Sequence, residues 1–122
     1  MTRSRINPAL IGLMLPLLFA CSAQPMVYQG FYVWGPDVDE FSPCGSDKTY
    51  WVVTSEALGN RLVDAHEAGR TEPYQGLFVE VRGFYAGPPN EERGGAFADQ
   101  YDGLFEITEV RTMRRIMASD CK

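Results

Sequence analysis

Residues 41–53 have the sequence FSPCGSDKTYWVV, which joins a turn to a strand. Residues 43–47 are Pro-Cys-Gly-Ser-Asp, residue types that bend a backbone tightly. Residues 48–53 add aromatic and β-branched side chains, which favour the pleated, half-buried surface of a sheet. This stretch therefore predicts a tight corner that leads into a central β-strand.

Two further strands are predicted before this corner. Aromatic and β-branched residues dominate Val27–Trp34, where Gly30 indicates a bend or a bulge. Residues 35–37, Gly-Pro-Asp, have turn chemistry, and a short second strand follows over residues 38–41. With residues 48–53 as the third strand, these segments predict a meander.

The hydrophobic period changes after the third strand. Leu58, Leu62 and Ala65 are spaced i, i+4 and i+7, which is the spacing of one face of a helix. A Thr or Ser at 54–55 can cap its start and Gly69 its end, so one amphipathic helix is predicted over residues 56–68. We expect His66, near the helix end, to be a packed or surface residue without a catalytic role.

Alternation returns over residues 76–86, where Leu77, Val79 and Val81 share one face of a strand, and again over residues 103–113. The predicted order is three strands, one helix and two strands, which is typical of the OB-fold. The predicted fold class is therefore mainly β: a small five-stranded OB-like Greek-key barrel with one helix between strands three and four.

The first 20 residues predict an export signal. Two arginines near the start precede an apolar run, residues 8–20, that is shorter than the roughly 20 residues needed to span a bilayer. Residues 18–21, Leu-Phe-Ala-Cys, resemble the lipobox of bacterial lipoproteins. The resemblance implies cleavage before Cys21, acylation of its sulfur and its amine and, with Ser22 next, sorting to the outer membrane. An ordinary secretory signal is the alternative.

These boundaries predict three parts: a lipoprotein signal peptide over residues 1–20, a tether over 21–26 and an OB-like barrel domain over 27–122. Cleavage removes two arginines and no acid, so the mature 102 residues hold 9 basic and 16 acidic residues, a net charge near −7. Because nucleic acid needs basic residues to neutralise its phosphates, we expect no nucleic-acid partner. The negative net charge favours either solubility or the binding of a basic partner.

Two cysteines remain when Cys21 carries lipid. Cys44 and Cys121 form an even pair in a chain bound for an oxidising compartment, so we predict that they are bonded to each other. Two free thiols or a metal site are the alternatives. A metal site has little support, because the sequence has no C-x-x-C motif and only one histidine. We assign no metal, no cofactor and no catalytic residue.

The hydrophobic pattern and the Phe-x-Pro-Cys-Gly motif resemble the OB-like C-terminal domain of the NlpE family of envelope lipoproteins. The resemblance covers roughly residues 27–110 and rests on residues 30–32, 41–45, 50–52 and 79–83, on Leu58 and Leu62, and on residues 104–105. It implies an OB fold, an envelope compartment and an envelope role. Since the C-x-x-C motif is missing and we expect no N-terminal barrel, the resemblance does not extend to copper handling or signalling.

The sequence has so many aromatic residues that a domain of this size does not have to bury all of them. Tyr32, Trp34, Tyr50 and Trp51 are the candidate binding surface, a platform on which a sugar ring, a peptide or a partner protein could stack. The alternative is that these side chains fill the core and cover the open edge. Alternation along a strand places about half of them inward whatever the function.

These observations favour a non-enzymatic envelope lipoprotein, lipid-anchored in the outer membrane and facing the periplasm, whose barrel binds an envelope protein or a cell-wall component such as peptidoglycan. The alternative is a periplasmic inhibitor of a basic hydrolase such as lysozyme, which the negative charge would attract. A purely structural envelope role is a third interpretation. Catalysis has little support, since no serine has a plausible base and orienting acid.

Overall fold

A computed structural model describes residue 12 and residues 23–122 of the chain. Its elements are β1 (Met26–Gly35), β2 (Val38–Pro43), β3 (Tyr50–Val53), α1 (Glu56–Gly69), β4 (Leu77–Tyr85), α2 (Gly95–Ala98) and β5 (Leu104–Arg115). The predicted signal peptide, apart from residue 12, and the predicted lipidation site Cys21 lie outside the described residues. In the part that is described, no helix is long and apolar enough to cross a bilayer.

The five strands close into one barrel in the order β1-β2-β3-β5-β4, and β4 pairs back with β1. All neighbouring strands are antiparallel except β3 and β5, which are parallel. Parallel neighbours need a long crossover connection, which α1 and β4 supply here. The predicted mainly β, OB-like Greek-key barrel with one helix between strands three and four is confirmed.

The predicted strands are all present, and their ends differ by at most two residues from those expected. β1 already includes Met26, the last residue of the predicted tether, which pairs with Gly83. β3 begins only at Tyr50, because the two preceding residues continue the turn. The Lys48 amide donates to Ser46 Oγ at 3.0 Å, and the Thr49 amide donates to Asp102 Oδ2 at 2.9 Å.

Alternate residues of the strands fill the barrel. The core consists of Tyr32, Phe41, Val52, Val79, Val81, Phe105 and Ile107 from the strands and Leu58 and Leu62 from α1. Fully burying an apolar side chain of this size contributes about 1.5–3 kcal/mol. Two register shifts in the β4–β5 pair each leave one extra residue in β5, Arg111 and Thr108, and such bulges bend the strand that carries them. At the second shift Gly83 lets the strands approach closely, because a Cβ there would collide with the Glu106 carbonyl oxygen.

The single long helix begins at the predicted place. Ser55 is its N-cap, and Ser55 Oγ accepts a hydrogen bond from the Leu58 amide at 3.3 Å. Arg70 is the C-cap, and its amide donates to the His66 carbonyl at 3.0 Å. The buried face differs from the expected one: His66 is buried, whereas Ala65 is exposed. The buried stripe is therefore Leu58, Leu62 and His66, at i, i+4 and i+8, and the ring of Tyr32 packs edge-on against the imidazole of His66.

The barrel has a lower end and an upper end, which β1 connects. We call the end where β1 begins the lower end; β2 and β4 finish there, and β3 and β5 start there. The upper end holds the β1–β2 turn and the start of β4, where Tyr32 pairs with Leu77. The last turn of α1 also lies here, because His66 Nε2 contacts the carbonyl of Gln75, just before β4, at 2.7 Å.

A disulfide between Cys44 and Cys121 joins the end of β2 to the C-terminal tail, which confirms the predicted pairing. The bond closes a loop with a sequence separation of 77 residues. The tail is held further by Arg114, which donates to both carboxylate oxygens of Asp120 at 2.8 and 2.9 Å. The same guanidinium lies 4.1 Å from the ring centre of Phe78, so the tail covers an apolar part of the outer wall.

Candidate functional site

The four aromatic residues predicted to form one binding surface do not share a face. Tyr32 is a core residue with 1% of its surface exposed, so its assignment to a surface platform is wrong. Its hydroxyl donates to Asp39 Oδ1 at 2.8 Å inside the barrel. The error arises because both faces of β1 are apolar, and alternation alone does not tell which face points inward.

Tyr50 and Trp51 are consecutive residues of β3 and therefore point to opposite faces. Tyr50 packs at the edge of the core, 5.6 Å between ring centres from Tyr85. Trp51 lies on the outer wall, where the segment around α2 folds over it: its ring is nearly parallel to Phe97 at 6.4 Å and tilted against Tyr101 at 5.5 Å. Neither residue forms a shared stacking platform with Tyr32.

Trp34 is the one predicted residue that lines an aromatic cleft. The cleft lies at the upper end of the barrel and has a volume of about 300 Å³. It is formed by the β1–β2 turn, the end of α1 and the loop before β4, and its lining residues are Trp34, Gly35, Pro36, Glu67, Arg70, Pro73 and Tyr74. We call it the Trp34–Tyr74 cleft.

Tyr74 forms the second aromatic wall of the cleft, and no pattern in the sequence around it indicates this role. It is a bulky residue with φ of 58°, in the left-handed region that such residues rarely adopt. Its ring lies directly on Gly35, where any Cβ would collide with the ring. Its hydroxyl donates to Asp37 Oδ1 at 3.3 Å. Strained backbone of this kind concentrates at functional sites.

The loop that carries Tyr74 is tied down on both sides. Gln75 Oε1 accepts from the Thr71 amide at 2.6 Å, from the Thr71 hydroxyl at 3.0 Å and from the Glu72 amide at 3.2 Å. Beneath it, His66 Nε2 donates to the Gln75 carbonyl at 2.7 Å. His66 therefore has a packing and positioning role, as expected. The cleft is held in shape before any ligand arrives.

The polar wall of the cleft is an ion pair on the last turn of α1. Arg70 Nε and Nη2 donate to the two carboxylate oxygens of Glu67 at 2.8 and 2.7 Å. The hydrogen bond from Arg70 lowers the pKa of Glu67, and Glu67 raises the pKa of Arg70. A rigid guanidinium beside two aromatic rings offers a ligand both stacking surfaces and fixed hydrogen-bond partners.

Three acidic residues follow the cleft residue Pro36 along the chain: Asp37 in the β1–β2 turn, and Asp39 and Glu40 in β2. Burial raises the pKa of Asp39 to about 6, and the hydrogen bond from Tyr32 opposes part of this rise. The pKa of Tyr101 is raised first by burial, then by its hydrogen bond to Glu40 at 2.8 Å and by the charges of Glu40, Asp39 and Asp37. Burial and three carboxylates thus act together on the Tyr101 hydroxyl.

A second, larger hollow of about 650 Å³ lies over the disulfide and is wide open to solvent. It has one aromatic side chain in its lining, Phe78, and the Arg114 guanidinium already lies over that ring. The Trp34–Tyr74 cleft is therefore the better candidate. Among residues 12 and 23–122, no group of three or more His, Cys, Asp or Glu side chains could hold a metal ion.

A family model described as the NlpE C-terminal OB domain matches residues 22–102. The chain belongs to this family. The match confirms the resemblance drawn from the sequence, and it covers every element up to α2, including both sides of the Trp34–Tyr74 cleft. The family is associated with the cell envelope and consists of non-enzymatic modules. Comparisons with curated proteins and with solved structures gave no match.

Proposed function

We propose that this NlpE-type OB domain is a non-enzymatic binding module, anchored to the membrane through lipid on Cys21, which holds an envelope protein or a cell-wall component in the Trp34–Tyr74 cleft. The observation that carries the proposal is the cleft itself. The cleft is lined by two aromatic side chains, two prolines and the Arg70–Glu67 ion pair. Its volume of about 300 Å³ is at the lower end of the range for ligand sites. Such a space suits one sugar ring or a short peptide segment.

The conformational free energy of the Tyr74 backbone also supports a binding role for the cleft. Tyr74 adopts an unfavourable backbone conformation, which costs of order 1–3 kcal/mol, although an exposed loop could avoid this with glycine. Nearly half of its side chain, 47%, remains exposed, so burial alone does not explain the aromatic ring. A ligand that stacks on the ring does explain it.

Binding is tested by titrating the purified lipoprotein with soluble peptidoglycan fragments and, separately, with stem peptides, while Trp34 fluorescence is recorded in a Trp51→Phe background. We expect a saturable change with one of the two ligand types. Tyr74→Ala should weaken binding by about tenfold or more, because truncating an aromatic anchor costs about 2 kcal/mol. Tyr85→Ala, which removes an equally exposed tyrosine at the lower end, is the matched control and should leave the affinity unchanged.

The anchor is tested by the intact mass of the protein purified from membranes, with and without reduction before alkylation. We expect a mass that starts at Cys21 and includes acyl chains, and two alkylated thiols only after reduction. A mass that starts at another residue, or one without acyl chains, contradicts the lipoprotein assignment.

A second function, inhibition of a basic hydrolase such as lysozyme, is favoured by the mature net charge near −7, to which the carboxylates of the β1–β2 turn and β2 contribute. Their negative potential would speed the encounter with a basic enzyme, and this attraction would weaken as salt rises. The test is the rate of cell-wall lysis by lysozyme with an excess of the purified protein at low and moderate salt. An unchanged rate at both salt concentrations excludes this function.

A further inference from the structure

The lower end of the barrel exposes apolar side chains where the chain enters the domain. Met26 is 61% exposed, Val27 41% and Tyr85 51%. Tyr85 leans across the mouth of the barrel towards Tyr50, 5.6 Å away between ring centres. We call these three side chains the lower mouth. Ile116 and Met117, beyond the end of β5, are exposed to a similar degree, so what distinguishes the lower mouth is its position at the start of the domain.

Chain length brings this mouth close to the predicted lipid. Five residue steps separate Cys21 from Met26, and a fully extended chain covers at most about 3.6 Å per step, or about 18 Å in all. A tether this short cannot let the domain move far from the bilayer. The end of the barrel that carries Met26 is therefore held within about 18 Å of the lipid on Cys21.

We propose that the lower mouth, Met26, Val27 and Tyr85, rests in the headgroup region of the membrane that holds the anchor. This inference depends on lipid attachment at Cys21, as proposed above. Tyrosine suits the position, because its ring is apolar and its hydroxyl stays hydrated. The mature net charge near −7 gives no attraction to anionic lipid, so the contact is apolar and does not depend on salt.

This orientation decides which way the candidate site faces. The Trp34–Tyr74 cleft lies at the other end of β1, nine residues from Met26 along the strand. With the lower mouth on the lipid, the cleft opens away from the membrane. A ligand in the periplasm can then reach it without approaching the bilayer.

Hydroxyl-radical footprinting tests the orientation on the full lipoprotein in vesicles of zwitterionic phospholipid. Two matched pairs of native residues serve as probes: Met26 against Met117, and Tyr85 against Tyr74. Within each pair the exposed fractions are similar, 61% and 53% for the methionines and 51% and 47% for the tyrosines. A domain free of the membrane surface therefore gives similar oxidation within each pair.

We expect Met26 and Tyr85 to be oxidised several-fold less than their partners, at low and at high salt. Tyr85→Glu should restore the oxidation of Met26, because a buried charge in the headgroup region is unfavourable, and Tyr74→Glu should not. If the protein floats with the vesicles but oxidation is equal within each pair, the proposed orientation is wrong and the lipid anchor still stands. Protein that does not float overturns the anchor and the orientation together.

Discussion

Replacing Asp39 with asparagine is expected to stabilise the barrel at neutral pH. Asp39 faces the inside of the upper barrel, where its Oδ1 accepts the hydroxyl of Tyr32. Burial raises the pKa of this carboxyl from 3.8 to about 6, so the charged form is disfavoured in the folded state. Asparagine keeps an oxygen for Tyr32 and carries no charge.

The sign and the size of the stability change in Asp39→Asn follow from proton linkage. Between pH 3.8 and about 6 the folded state binds more protons than the unfolded state, so the contribution of Asp39 to stability falls as pH rises. A shift of this size corresponds to roughly 3 kcal/mol at pH 7. If the side-chain N–H groups of the new asparagine find no hydrogen-bond acceptor, about 1 kcal/mol of this stability gain is lost. A net gain of about 1–3 kcal/mol at pH 7 is expected.

The assay is urea unfolding at pH 4, 5, 6 and 7 for the wild type and Asp39→Asn. The difference in unfolding free energy between the two should grow by about 2 kcal/mol from pH 4 to pH 7. Asp47→Asn is the control, because Asp47 lies in the exposed turn after Cys44, and its difference from the wild type should stay small. A pH-independent difference for Asp39→Asn would refute the assignment of a buried, raised carboxyl.

Three further changes test the packing. Replacing both Cys44 and Cys121 with alanine should cost about 4.5 kcal/mol of unfolding free energy in the chain-entropy model, measured by urea titration, because it opens a 77-residue loop. Phe41→Ala should cost about 3–5 kcal/mol, seen as a large drop in Tm, because the side chain is fully buried in the core. Arg93→Ala, which breaks a partly exposed ion pair with Glu106 at 2.7 Å, should cost less than about 1 kcal/mol; a loss as large as that of Phe41→Ala would show that the α2 segment is essential for folding.

Much of the fold could be predicted because local residue chemistry and the final structure agree. The Pro-Cys-Gly corner, the alternation from Leu77 to Val81 and the cap at Ser55 each specify their own element. The cysteine pair follows from the count once Cys21 is assigned to the lipid and the chain to an oxidising compartment. The short helix α2 was missed, because four residues are too few to show a period of 3.6.

The candidate site was harder to predict because it depends on tertiary contacts. The sequence of β1 does not distinguish Trp34 from Tyr32, and only the closed barrel separates the buried residue from the one at the rim. Tyr74 lies in a loop without any pattern, and the position of its ring depends on the absence of a side chain at Gly35, which is far away in sequence. Such a contact between two loops leaves no periodic signal.

The most direct test of the binding module is photo-crosslinking from the cleft in intact cells. Tyr74 is replaced by p-benzoylphenylalanine in the full lipoprotein, and adducts are sought both with proteins and with isolated peptidoglycan. We predict one discrete adduct after irradiation, which Trp34→Ala strongly reduces because it removes the opposite wall. No adduct, or an equal yield with Trp34→Ala, would contradict a ligand in the Trp34–Tyr74 cleft.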